Sequence, residues 1–80
     1  MNDKTIHTHI EELVAEEERL WAAADDKPLG QEDRKRLEDI GVQLDRYYDL
    51  LRQRRARREA GQDPDVASMR SGETVERYLQ

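Results

Sequence analysis

The stretch "DDKPLG", Asp25–Gly30, decides how this chain folds. Proline lacks a backbone N–H and fixes φ, and glycine is a poor helix former, so the pair ends any helix that reaches it. Upstream, Ile6, Ile10, Leu13, Leu20 and Ala24 recur in steps of three and four, with Glu17 in the one polar slot. That is the spacing of an apolar helical seam, widened on one side by Val14 and Trp21. Asp3 is the expected N-cap, and the acids that follow suit the positive end of the helix dipole.

Downstream, Leu37, Ile40, Leu44, Tyr47 and Leu51 form a second seam, with Tyr48 flanking it. Helix propensity continues through Arg54 and Arg58, although the seam positions there turn polar. Gly61 and the Asp63–Pro64 pair then stop the helix. Gly41 interrupts this second helix, where glycine costs about 1 kcal/mol relative to alanine. Close helix–helix approach is the expected reason for it.

Two helices, over about 4–25 and about 31–60, joined by a short breaker make an all-α antiparallel hairpin in residues 1–60. Residues 61–80 read as a mostly irregular C-terminal tail, with Val75, Tyr78 and Leu79 able to form a short apolar helical turn. With the loop centred near Pro28, facing residues carry numbers that sum to about 57. This register sets Leu20 beside Leu37, Leu13 beside Leu44, Ile10 beside Tyr47 and Ile6 beside Leu51. It also sets Glu17 against Ile40, a poor place for a charge. On this reading the arginines from Arg54 onward overhang the hairpin, past the end of the first helix.

A two-helix hairpin buries little, and Trp21, Val14 and Tyr48 lie off its seam. Coiled-coil-like pairing into a dimeric four-helix bundle would cover them. The expected assembly is a homodimer. If antiparallel, it would bring Arg54–Arg58 of one chain toward Asp25, Asp26, Glu32 and Asp33 of the other.

Composition limits the alternatives. Charged residues make up 41% of 80 and apolar residues 35%, which without periodic seams would indicate disorder. The absence of cysteine removes disulfides, thiolate catalysis and Cys-ligated zinc. The longest apolar run, "LWAAA" (Leu20–Ala24), is too short for a membrane span or a signal-peptide core. A soluble cytoplasmic protein with no membrane contact is the expectation. The charge is polarised: the first 26 residues are strongly acidic, whereas Arg52–Arg58 holds five arginines in a chain of net charge -5.

Those arginines are the sharpest chemical feature. Nucleic-acid recognition asks for a basic face and favours interleaved aromatics. Here Arg54, Arg55 and Arg58 fall on one side, Arg52 and Arg57 elsewhere, and an acidic helix adjoins them. A solvated helix end, favoured by the dipole and by pairing with Asp49 or Glu59, is the plainer reading. In "HTHIEE", His7 and Glu11 lie one turn apart, as do His9 and Glu12, a spacing compatible with metal ligation. Exposed histidines at a helix start are the simpler account, although Asp45 and Asp49 could approach. Ser68 and Ser71 have no histidine or acid placed for a triad, and narrow exposed helices offer no water-excluded pocket.

From Leu44 to Gln80, "LDRYYDLLRQRRARREAGQDPDVASMRSGETVERYLQ" resembles a family of short actinobacterial helical proteins, a domain of unknown function. In that family an N-terminal helix like "HIEELVAEEERLW" accompanies a "DLLRQRRARREAG-x-DPD" segment and a tail ending near "VE-x-YLQ". The resemblance covers nearly the whole chain. It departs at Gly30, where a Ser or Thr cap would be expected. It implies the helical architecture and carries no activity.

The sequence therefore points to a non-enzymatic helical protein, without cofactor or metal, that acts by self-association and by contact with a protein partner, in a regulatory capacity. Arg54, Arg55 and Arg58 are the expected polar contacts, and Trp21 and Tyr48 the apolar anchors. The alternative is binding of an anionic nucleotide or nucleic acid through Arg52–Arg58, which the acidic surroundings disfavour.

Overall fold

The computed structural model describes residues 1–25 and 27–79. Asp26, counted above among the loop acids, and Gln80 lie outside the described residues, as do the side chains of Tyr78 and Leu79. The helices are α1 (Asp3–Ala23), α2 (Gln31–Glu59) and α3 (Gly72–Leu79), with a single 3-10 turn at Pro64–Val66 between the last two. The chain is all-α, and α1 and α2 pack as the antiparallel hairpin the two seams define.

The ends follow local chemistry. Asn2, rather than Asp3, caps α1: its side chain accepts from the Thr5 N–H at 2.8 Å. Asp3 is the first helical residue, and its carboxylate is turned toward the arginines of α2. Gly30 precedes α2 without a side-chain cap, so that helix starts on Gln31 with the Arg34 N–H bonded to the Gly30 carbonyl. The far end of α2 is closed by a Schellman motif. Gly61 takes φ +72°, while the Gln62 N–H reaches the Arg57 carbonyl and the Gly61 N–H that of Arg58.

Ile6, Ile10, Ile40 and Leu44 form the buried seam of the hairpin, with Leu13, Leu20, Tyr47 and Leu51 packed against it. Leu50 is buried as well, although it lies outside that seam. It belongs to a second face of α2 that receives the C-terminal segment. There Gln53 donates to the Ser68 carbonyl, Arg46 to the Arg70 carbonyl, and Arg70 pairs with the buried Asp49 at 3.5 Å. Ser71 caps α3 by accepting from the Thr74 N–H at 3.1 Å. α3 spans eight residues, longer than the single turn expected, and Val75 is fully buried beneath it. Gly72 lets it come this close: a Cβ there would stand 2.6 Å from Val42.

The three helices thus lie side by side with α2 in the middle. The Cα trace measures 51 × 26 × 14 Å, an elongated and flattened shape.

Candidate interaction surface

The arginine segment does not overhang an empty space. Arg54 is only 5% exposed; its Nε donates to Asp3 at 2.5 Å, and its Nη1 to Asp65 at 3.0 Å and to the Pro64 carbonyl at 3.1 Å. Arg58 takes the other Asp3 oxygen at 2.9 Å. The expectation that these residues lack a partner in their own hairpin is therefore corrected. Asp3 and Arg54 obey the same numerical register as the apolar seam; reading Asp3 as a cap hid the pairing. Arg54 binds the start of α1, the end of α2 and the 3-10 turn into one corner. The two guanidinium groups hold the Asp3 carboxyl below its ordinary acidity range, and Asp3 in turn raises Arg54 further above an already high value.

Of the remaining arginines, Arg52 stands 3.8 Å from Asp49 and Arg57 donates to Gln62 at 3.5 Å. Arg55 is exposed, and no hydrogen bond or ion pair joins it to any described residue.

The two broad sides of the hairpin differ. On one, Arg36 grips Glu16 with two hydrogen bonds of 2.6 and 2.7 Å, and His9 stacks on Tyr47 with ring centroids 5.5 Å apart. These groups line a shallow polar cleft of about 230 Å³ with Glu12, Leu13 and Gln43. The Arg36 contact holds the Glu16 carboxyl below its usual range. His9 lies 3.9 Å from Glu12, His7 is exposed, and no metal-competent cluster occurs among the described residues. Asp45 and Asp49 do not approach the histidines: Asp49 serves Arg70 and Gln53, and Asp45 meets Glu76 of α3.

The other broad side carries exposed aromatic residues, with Val14 half-buried against the core. Helical spacing places Val14 and Trp21 on one stripe of α1, and Leu37, Gly41 and Tyr48 on one stripe of α2, with Arg52 and Arg55 continuing it. These stripes lie across the seam from the His9–Tyr47 and Glu16–Arg36 contacts, so they form a common surface. Trp21 is 57% and Tyr48 42% exposed. Near the loop, Trp21, Pro28, Leu29 and Leu37, with Arg34 and Glu38 at the rim, enclose a groove of about 600 Å³. Contiguous exposed apolar surface rimmed by polar groups is a usual mark of an interaction site. The geometry brings Trp21 and Tyr48 together on one side with Arg55 at its end, and sets Arg54 apart as an internal brace. Leu29 and Leu37 are half-buried and also line this groove, a role that the seam position of Leu37 did not indicate.

An all-α hairpin with a docked C-terminal helix and exposed aromatic residues on one side defines a small helical protein. The chain belongs to the family described as "Protein of unknown function (DUF2630)", whose model matches residues 2–80. It is 42% identical over 77 residues to uncharacterized protein Rv0898c of Mycobacterium tuberculosis (strain ATCC 25618 / H37Rv). Uncharacterized protein Mb0922c of Mycobacterium bovis is similar to the same degree; in each case the match covers 95% of this chain and 88% of the relative. No solved structure matches. None of the described helices is long and apolar enough to cross a membrane.

Proposed function

We propose that this chain is a non-enzymatic interaction module of the cytoplasm that works by self-association, two hairpins pairing through their apolar sides into a four-helix bundle. The observation that carries this reading is the exposure of two large aromatic residues: Trp21 is 57% and Tyr48 42% exposed, and helical spacing puts both on the same side of the hairpin. Pairing of two hairpins through that side would bury both. Trp21 and Tyr48 act as anchors, and Arg55 and Arg58 supply polar contacts at the rim; Trp, Tyr and Arg dominate binding energy at most interfaces. Arg54 contributes from within, by fixing the corner from which Arg55 and Arg58 project. A regulatory role toward a further protein partner follows if the assembled surface is what that partner reads.

The alternative, capture of an anionic nucleotide or nucleic acid by Arg52–Arg58, is weakened because Arg54 and Arg58 already hold Asp3. Sedimentation at 50 mM and 1 M salt separates the two. Apolar association through Trp21 persists at high salt and fails on Trp21→Ala. Phosphate binding would fall steeply with salt and survive that substitution.

A further inference from the structure

Gly41 lies in the interior of α2, where glycine is a poor choice. Its chain offers no explanation for it: a Cβ added at Gly41 meets no described atom within 4 Å. Gly72 makes the contrast, since there a Cβ would run into Val42. One glycine is used by the fold and the other is not. Gly41 sits in the middle of the apolar stripe, between Leu37 one turn before it and Tyr48 two turns after, at a point that no described side chain covers. A small residue at such a place lets another backbone come close.

We infer that Gly41 is the crossing point of two copies of this chain, α2 packing antiparallel on α2 about a two-fold axis at this residue. The inference rests on the self-association proposed above and specifies its geometry. A second copy is the occupant that the charges fit. The stripe ends in Arg52 and Arg55 on one side of Gly41, and the loop end on the other carries Asp25, Glu18 and Glu38 together with Arg34 and Lys27. An antiparallel crossing at Gly41 lays the Arg52–Arg55 end of one copy over the loop of the other, with Arg52 opposite Gly30, Arg55 opposite Lys27, and Asp25 and Glu18 at the same end to offset that lysine. It also brings Arg34 of one copy over the Tyr48 ring of the other, a cation–π arrangement. A parallel pairing would oppose arginine to arginine. Two-fold symmetry needs only one such surface, complementary to itself.

The chain has no cysteine, so single-cysteine crosslinking reads the geometry directly. Gly41→Cys, Arg52→Cys and Thr8→Cys, the last on the exposed outer edge of α1, are made in the full chain and oxidised. Their masses are compared with and without reductant, beside sedimentation of the unmodified protein. The expected result is a disulfide-linked dimer for Gly41→Cys alone, because residues at the axis come within the 4.4–6.8 Å Cα separation, roughly, that a disulfide spans. Should the cysteine itself prevent pairing, Gly41→Cys and Gly41→Leu both sediment as folded monomers while the unmodified chain is dimeric, which equally supports close approach. A dimer in which position 41 stays reduced and Gly41→Leu pairs as tightly as the original overturns the crossing point but leaves self-association standing. Crosslinking at both 41 and 52 overturns the antiparallel sense. A monomeric unmodified chain overturns this inference and the proposal beneath it together.

Discussion

The Asp3 carboxylate meets the Arg54 guanidinium at 2.5 Å across 51 residues of sequence. The contact joins the first turn of α1 to the last third of α2, and Asp65 on the same guanidinium ties in the 3-10 turn. Removing the arginine leaves Asp3 and Asp65 near one another with less cationic compensation, and opens the space it fills. Arg54→Ala is therefore expected to lower Tm by about 10 °C, as for a destabilisation of a few kcal/mol in a domain of this size. Compared in a Trp21→Ala background, where pairing is expected to be lost, Arg55→Ala should leave Tm within about 2 °C, since an exposed unpaired arginine contributes little. Equal effects from the two would contradict the assignment of Arg54 as the brace.

Acid should loosen the same corner. Asp3 and Glu16 both have carboxyls held below their ordinary values by arginine. Their contribution to stability is complete above the unfolded-state value of about 4 and is lost as pH falls through the lowered folded values. Thermal unfolding followed from pH 7 to pH 2 should show Tm falling below about pH 4. The fall should be shallower in Asp3→Asn, which has already lost the charge. An unchanged slope in that variant would remove Asp3 from the account.

The docking of α3 should respond in the opposite sense. Glu76 lies against Asp45 of α2, and one of its carboxyl oxygens is buried without a hydrogen-bond donor. The contact with Asp45 raises the Glu76 carboxyl above its usual 4.5. A raised folded value means the contribution is complete below the ordinary value and is lost as pH rises through the raised one. Amide exchange of α3, referred to that of α1, should be slower near pH 5 than near pH 8 after correction for intrinsic rates. Glu76→Gln, which keeps the shape without the charge, should abolish the difference. A difference that persists in Glu76→Gln would place its origin elsewhere.

Gly41→Ala offers a test that separates fold from assembly. The added methyl meets no described atom of its own chain, so the isolated chain should gain about 1 kcal/mol of stability. The reading is best made in a Trp21→Ala background, where pairing is expected to be lost. Destabilisation of that background would mean that Gly41 serves the hairpin itself.

The hairpin was legible because its information is local and periodic: Pro28 and Gly30 break the chain, and the two seams on either side repeat every three to four residues. The Gly61 stop was legible for the same reason, since a C-terminal glycine needs only its own backbone. What escaped was carried by polar side chains acting over long separations. Asp3 was read as a cap because acids favour that position, although Asn2 fills it and Asp3 serves Arg54. The docked tail was hidden for a similar reason. Its receiving face on α2, with Arg46, Asp49, Leu50 and Gln53, is mostly polar and carries little apolar periodicity. Trp21 and Tyr48 were legible as residues off the seam, and the apolar side they share is what helical geometry then gives.

Association is the claim on which the rest depends, and sedimentation equilibrium of the full chain at micromolar concentration tests it most directly. The account expects a mass near twice 9.5 kDa, retained at high salt and reduced to the single-chain value by Trp21→Ala. A folded species of 9.5 kDa at all of these concentrations would contradict it.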